Sequence, residues 1–216
     1  MSKATMIPMQ ATPDNGVALR AFLKTGRDLV AKTEPATLSW FALSREGDAN
    51  GVAIFDTFAD QAGRDAHFGG VVAGALQAKS TELVDGGWDG VLSAVANYER
   101  IASLERAGAP QPGKATYITL TAAPGRADDL AAFLTGGCGL VEQTEPNTLT
   151  WYALRSETDP TQFAIFDLFA NDAGRAEHFA GQVAAALKAE STALVSGGWE
   201  SGVLANVHHF DVHAAV

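Results

Sequence analysis

Thr33-Glu34-Pro35-Ala36-Thr37-Leu38-Ser39-Trp40-Phe41-Ala42-Leu43 returns 111 residues later as Thr144-Glu145-Pro146-Asn147-Thr148-Leu149-Thr150-Trp151-Tyr152-Ala153-Leu154. The Glu-Pro step disfavours helix at the glutamate and turns the chain. Residues 37–43 and 148–154 are rich in threonine, aromatic and aliphatic residues and read as strands. The match spreads outward from there. Ile54-Phe55-Asp56 returns as Ile165-Phe166-Asp167, Ala62-Gly63-Arg64 as Ala173-Gly174-Arg175, His67-Phe68 as His178-Phe179, and Gly86-Gly87-Trp88 as Gly197-Gly198-Trp199. About 60% of positions 33–89 are identical, and the offset becomes 112 by Val95, which matches Val207. A period this long marks a duplicated domain, because solenoid units run roughly 20–50 residues. Each copy must hold a whole small fold, and any chemistry should appear twice.

Each copy has the same order of elements. Residues 5–11 form a short strand, weakened by Pro8, which lacks an N–H. Residues 115–121 alternate more clearly. A helix comes next, with Val17, Leu19, Phe22, Leu23, Leu29 and Val30 on its apolar face, matched by Leu130, Phe133, Leu134 and Leu140. Strands are then expected at 37–43 and 52–58, and at 148–154 and 163–169. They are apolar at nearly every position, which asks for two covered faces. A second helix is expected over 60–84, with Asp60 as N-cap and Gly86-Gly87 as the stop. A last strand is expected over 91–98, and over 203–210 in the second copy. Residues 103–113, with Gly108, Pro110, Pro112 and Gly113, read as a linker between domains 1–102 and 114–216.

The order β-α-β-β-α-β is the ferredoxin-like unit. Its helices cover one sheet face, so the other must be buried elsewhere. The expected fold is α+β: two ferredoxin-like βαββαβ repeats packed sheet to sheet as an intrachain pseudo-dimeric α+β barrel around an oily chamber.

Bulk properties narrow the partners. The 216 residues suit two domains of roughly 100, each with little apolar surface to spare. At 47% hydrophobic the chain can support two cores and a seam. A net charge of −10 argues against nucleic acid and anionic membranes, whose phosphates need a basic footprint. No apolar run reaches the length of a membrane span. The first residues carry no secretory h-region, and Cys138 is the single cysteine, so a cytoplasmic setting is expected.

Glu-Pro-x-Thr-Leu-x-Trp-[Phe/Tyr]-Ala-Leu, then Ile-Phe-Asp-x-Phe-Ala, then Ala-Gly-Arg-x-x-His-Phe, resembles the antibiotic biosynthesis monooxygenase (ABM) family of dimeric α/β barrels. The resemblance covers both copies and implies a fused version of what is elsewhere a homodimer of single domains. It also implies oxygenases that use no cofactor and act on quinols or polyketide aromatics, or relatives that degrade haem. The haem-degrading branch carries an asparagine on its first strand. Here that strand offers Met6, Pro8 and Met9, or Tyr117, Thr119 and Leu120.

His67 and His178 are the candidate catalytic bases, since imidazole accepts a proton near neutral pH. The anion left behind reacts with O₂, with no cofactor and no metal. Trp40 and Trp151, Trp88 and Trp199, Phe55 and Phe166, and Tyr152 are candidate substrate contacts, able to stack on a planar ring. Asp56 and Asp167 sit in apolar strands and need partners; Arg64 and Arg175 are candidates. His208 and His209 are adjacent on a strand and point to opposite faces, so they do not chelate as a pair. The expected activity is cofactor-independent monooxygenation of an aromatic or quinol-like small molecule. The alternatives are a non-catalytic stress-response or ligand-binding barrel, and haem binding through one histidine. The expected partner is a small apolar or aromatic ligand. Whether the fused pair dimerises again stays open.

Overall fold

A computed structural model describes residues 2–216. The first repeat runs β1 (Lys3–Gln10), α1 (Gly16–Thr33), β2 (Thr37–Arg45), β3 (Gly51–Phe58), α2 (Gln61–Phe68), α3 (Val71–Leu83), α4 (Gly87–Ala94) and β4 (Ala96–Glu105). The second runs β5 (Lys114–Thr121), α5 (Ala127–Thr144), β6 (Thr148–Ser156), β7 (Gln162–Phe169), α6 (Asp172–Phe179), α7 (Gln182–Leu194), a π-helical turn at Gly198–Val203, a 3₁₀ turn at Leu204–Asn206 and β8 (Val207–Ala215). The fold is α+β, with one ferredoxin-like βαββαβ order in each repeat.

The chain divides into two compact units, residues up to Tyr98 with Phe210–Val216, and Glu99–His209. The sheet of the first unit is β1-β3-β2, with the end of β8 antiparallel to β2 through Arg45 opposite Phe210. The start of β4 lies by β1, where the Thr5 hydroxyl donates to Asn97 Oδ1 at 2.9 Å. The sheet of the second unit is β5-β7-β6, continued by the end of β4. Strand β4 reaches Glu105, so residues 103–105 of the expected linker are strand. Arg106 then clamps the end of α5, its guanidinium donating to the carbonyls of Val141, Glu142, Glu145 and Thr148. A cation at a helix C-terminus satisfies orphan carbonyls and complements the dipole. Pro8 sits within an uninterrupted register, opposite Ala53.

Alternation sorts each sheet into two faces. Ile7, Trp40, Ile54 and Val52 join Leu19, Leu23, Val30, Val72 and Leu76 in a core under the helices. Met6, Phe41, Leu43 and Phe55 point the other way and are also buried. The doubly apolar strands thus have both faces covered, as their composition requires.

Two expectations need correction. The helix expected over 60–84 is broken into α2 and α3 at Gly69-Gly70. The cause is a carboxylate. Glu34 Oε1 accepts the Val72 N–H at 3.1 Å and occupies the start of α3. The break makes that N–H available, and the positive end of the helix dipole holds the charge. Residues 87–94, expected in part as strand, form α4. Trp88, Val91, Leu92 and Val95 are spaced for a helix, and all four line one cavity. The second copy carries one residue more here, the source of the offset of 112. A single insertion into a helix produces a π-bulge, and Gly198–Val203 is the π-helical turn.

Candidate functional site

Each repeat has an apolar cavity between its sheet and its helices. The first is lined by Ile7 and Ile54 from the sheet, by Phe22 and Leu29 from α1, and by Trp40, His67, Phe68, Trp88 and Leu92. The second is lined by Ile118, Trp151, Ile165, His178, Phe179, Val183 and Trp199. His67 with Trp40 and Trp88 therefore share one cavity, and His178 with Trp151 and Trp199 the other. Phe55, Phe166 and Tyr152 line neither. The period of two along a strand puts them on the helix-free face. There Phe55 packs on Phe41 and Phe166 on Tyr152. The Tyr152 hydroxyl donates to Glu105 Oε1 at 2.7 Å.

Behind each histidine stands an arrangement that residue patterns alone did not reveal. His67 Nδ1 meets Glu34 Oε2 at 2.5 Å, with the Thr37 hydroxyl at 3.3 Å. His67 Nε2 faces Asp56 Oδ2 at 3.5 Å. The second repeat repeats it: His178 Nδ1 to Glu145 Oε2 at 2.6 Å, Thr148 at 3.2 Å, and Nε2 to Asp167 Oδ2 at 3.5 Å. Arg64 is not the partner of Asp56. It donates to Gln61 Oε1 and to the carbonyl of Ala4. Likewise Arg175 pairs with Asp172. The aspartates stand on the helix-facing parity of their strands, Asp56 opposite Trp40 in register. That parity directs them at the histidine rather than at the arginine.

Both aspartates are fully buried, and neither oxygen of either has a hydrogen-bond partner. Burial pushes each carboxyl up to about 7, against the pull of its histidine. Glu145 is held below the ordinary range: burial opposes its charge, but His178 and the Val183 N–H outweigh that. His178 is raised. Burial favours the neutral ring, but Asp167 and Glu145 favour the imidazolium more. In the neutral ring the ionised Glu145 keeps the proton on Nδ1, so Nε2, which makes no hydrogen bond, is the nitrogen left to accept one. Trp40 Nε1 is likewise buried with no acceptor.

Burial holds the Cys138 thiol above its usual range, and among the described residues no group of three His, Cys, Asp or Glu could hold a metal ion.

No protein-family model and no curated protein sequence matches the chain. Solved structures do match. A candidate monooxygenase of Fusobacterium nucleatum subsp. nucleatum superposes over 99% of this chain and 93% of its own, with a TM-score of 0.84 and 12% identity. An anthrone oxidase-like protein covers 100% and 92%, with a TM-score of 0.62 and 11% identity. A ferredoxin-fold protein of Listeria monocytogenes related to antibiotic biosynthesis monooxygenases covers 99% and 96%, at 0.51 and 10%. The chain has the ABM-like fold. At these identities the likeness is one of fold, and chemistry must be argued from the site.

Within this ABM-like chain the two cavities differ. The first holds about 600 Å³ of empty space and the second about 410 Å³, counting the parts open to solvent. Gly26 and Gly137 occupy equivalent places in α1 and α5. A Cβ at Gly137 would meet Val183 of α7 at 3.3 Å, whereas one at Gly26 would meet Trp40 alone. In the second repeat α7 presses closer, which takes space from the cavity. A planar ligand is therefore expected to bind the first cavity more tightly. Titration of the full chain, with Trp40→Phe and Trp151→Phe variants, should show two unequal sites, the stronger one weakened by Trp40→Phe.

The carboxylates also explain two glycines of the ABM-like repeats. A Cβ at Gly70 would lie 2.6 Å from Glu34 Oε1, and one at Gly181 2.5 Å from Glu145 Oε1. Each also meets a backbone carbonyl at 3.0 Å. Gly70→Ala and Gly181→Ala should each cost about 1–3 kcal/mol in urea unfolding, the usual penalty of overpacking.

Proposed function

We propose that the chain is a cofactor-independent monooxygenase of a planar aromatic or quinol-like molecule, bound between sheet and helices. One observation carries this reading: in both repeats an apolar cavity with two tryptophans ends on an imidazole whose Nδ1 is fixed and whose Nε2 is not hydrogen-bonded. A substrate hydroxyl gives its proton to Nε2. The nearby aspartate stabilises the imidazolium, and the substrate anion supplies all the electrons that O₂ receives. One oxygen atom is incorporated and the other leaves as water. An anthrone oxidase-like neighbour fits the same class of substrate. The test is a panel of quinols and anthrones, aerobic against anaerobic, with wild type and His67→Ala/His178→Ala. Product that needs both O₂ and the histidines supports the reading.

A second reading, a non-catalytic ligand binder, draws on a specific feature. Glu34 ties the 33–37 turn to α2 and α3 through His67 and Val72, which is what a structural bolt would do. Ligand binding without oxygen-dependent product favours it. Haem binding through one histidine, the remaining alternative, would show as a Soret band on haem titration. Among the described residues no helix is long and apolar enough to cross a membrane. A cytoplasmic setting suits the acidic chain with its lone cysteine.

A further inference from the structure

His178 lies between two cavities of different character. On one side is the apolar cavity with Trp151 and Trp199. On the other is a polar pocket of about 370 Å³, counting its part open to solvent, lined by Glu145, Asn147, Thr148, Glu177, His178 and Gln182. Glu145 lines the polar pocket and touches Nδ1 at 2.6 Å. The apolar cavity has no other acceptor for a proton among its lining residues. We propose that His178 and Glu145 form a proton relay that moves the proton of a hydroxyl-bearing aromatic from the apolar cavity into the water of the polar pocket.

The relay rests on the proposed function and adds the route by which the site resets. The substrate O–H bond breaks and its proton joins Nε2. The Nδ1 proton passes to Glu145 Oε2. Glu145 then releases it to water, leaving the substrate anion behind. No electrons change hands, and the neutral ring is left with its proton on Nε2; the site resets when Nε2 gives that proton to the departing product or reduced oxygen and Nδ1 takes one back from water through Glu145. Each element around the ring contributes. Asp167 of β7 faces Nε2 at 3.5 Å, and Thr148 of β6 faces Nδ1. Phe169 and Phe179 flank the ring. Glu177 of α6 accepts from Asn147 at the polar pocket, and Arg106 binds the backbone carbonyl of Glu145. The Val183 N–H at 3.1 Å and the α7 dipole hold Glu145 ionised, so it receives a proton only in passing.

The test uses the full chain in a His67→Gln background, which silences the first repeat, with alizarin as the probe. Alizarin is a planar dihydroxyanthraquinone whose colour reports ionisation. Tryptophan quenching reads binding, and stopped-flow absorbance reads the anion. Glu145→Gln keeps an oxygen for the Val183 N–H. It should bind alizarin within about threefold of its parent and form the anion about a hundredfold more slowly, the lower end of the range for a lost acid–base group. Glu177→Trp, at an exposed position, fills the polar pocket with Glu145 intact and should slow the anion similarly. A merely structural Glu145 predicts no effect of Glu177→Trp. Formate should restore the rate in Glu145→Ala. Binding with an unchanged ionisation rate in both Glu145→Gln and Glu177→Trp overturns the relay alone. Failure of alizarin to bind any form overturns the proposed function and the relay with it.

Discussion

Replacing Asp56 and Asp167 together by asparagine raises stability at pH 7, by an amount on the order of several kcal/mol, and abolishes turnover. Each carboxyl is fully buried without a hydrogen bond, and burial lifts it from 3.8 to about 7. The folded chain therefore holds this proton more tightly than the unfolded chain does. The stability it contributes is complete below the unfolded value and is lost as the pH rises to about 7. Every tenfold change in acidity between the two states corresponds to about 1.4 kcal/mol, and asparagine does not ionise. His178 adds a loss in the same direction, since its raised value favours the fold at low pH. Glu145 works oppositely and loses its contribution as the pH falls through its lowered value. Asp167 and His178, 3.5 Å apart, titrate as a pair. Urea unfolding between pH 4 and 8 is the check. Wild type should weaken through this window, and the double variant should lose most of that slope. Destabilisation by asparagine at pH 7 would mean that the carboxylates support the fold rather than the site.

His67→Ala/His178→Ala should lower oxygen-dependent product formation by about a hundredfold or more, the range for loss of a general base, while a planar ligand still binds. The tryptophans and the aliphatic lining are untouched, so affinity should change by only a few-fold. Because the first cavity is larger, His67→Ala alone should cost more activity than His178→Ala alone. Oxygen uptake with the best quinol of the panel, set beside ligand titration, reads both quantities. Unchanged uptake in the double variant would remove the histidines from the chemistry.

Much of the fold was legible because duplication printed every element twice. Pro8 obscured the first strand, but residues 115–121 showed it plainly. The break between α2 and α3 was harder to read. The reason for the break at Gly69-Gly70 lies far back in the sequence, in the Glu34 that fills the gap. Trp40, Trp151 and the two histidines were legible as residue types on the elements that carry them, whereas Trp88 stands on α4 and Trp199 on the π-helical turn, neither of which the pattern announces. Phe55 and Phe166 misled because a strand apolar on both faces does not announce which face meets the cavity. A carboxylate at Asp56 in an apolar strand calls for a partner, and the sequence offers arginine first because Arg64 lies eight residues on in the next helix. The true neighbour, His67, stands three residues beyond that arginine and turns inward. Glu34 was read for its proline. Its recurrence as Glu145, with Gly70 recurring as Gly181, was the available sign that a buried acid sits there.

The most direct measurement is a crystal structure of the full chain soaked with a brominated planar phenol, with the bromine located by anomalous scattering. The account predicts bromine under the helices, within contact of Trp40, Trp88 and His67, with the phenol oxygen toward Nε2. Bromine on the opposite sheet face, against Phe41 and Phe55, would contradict it.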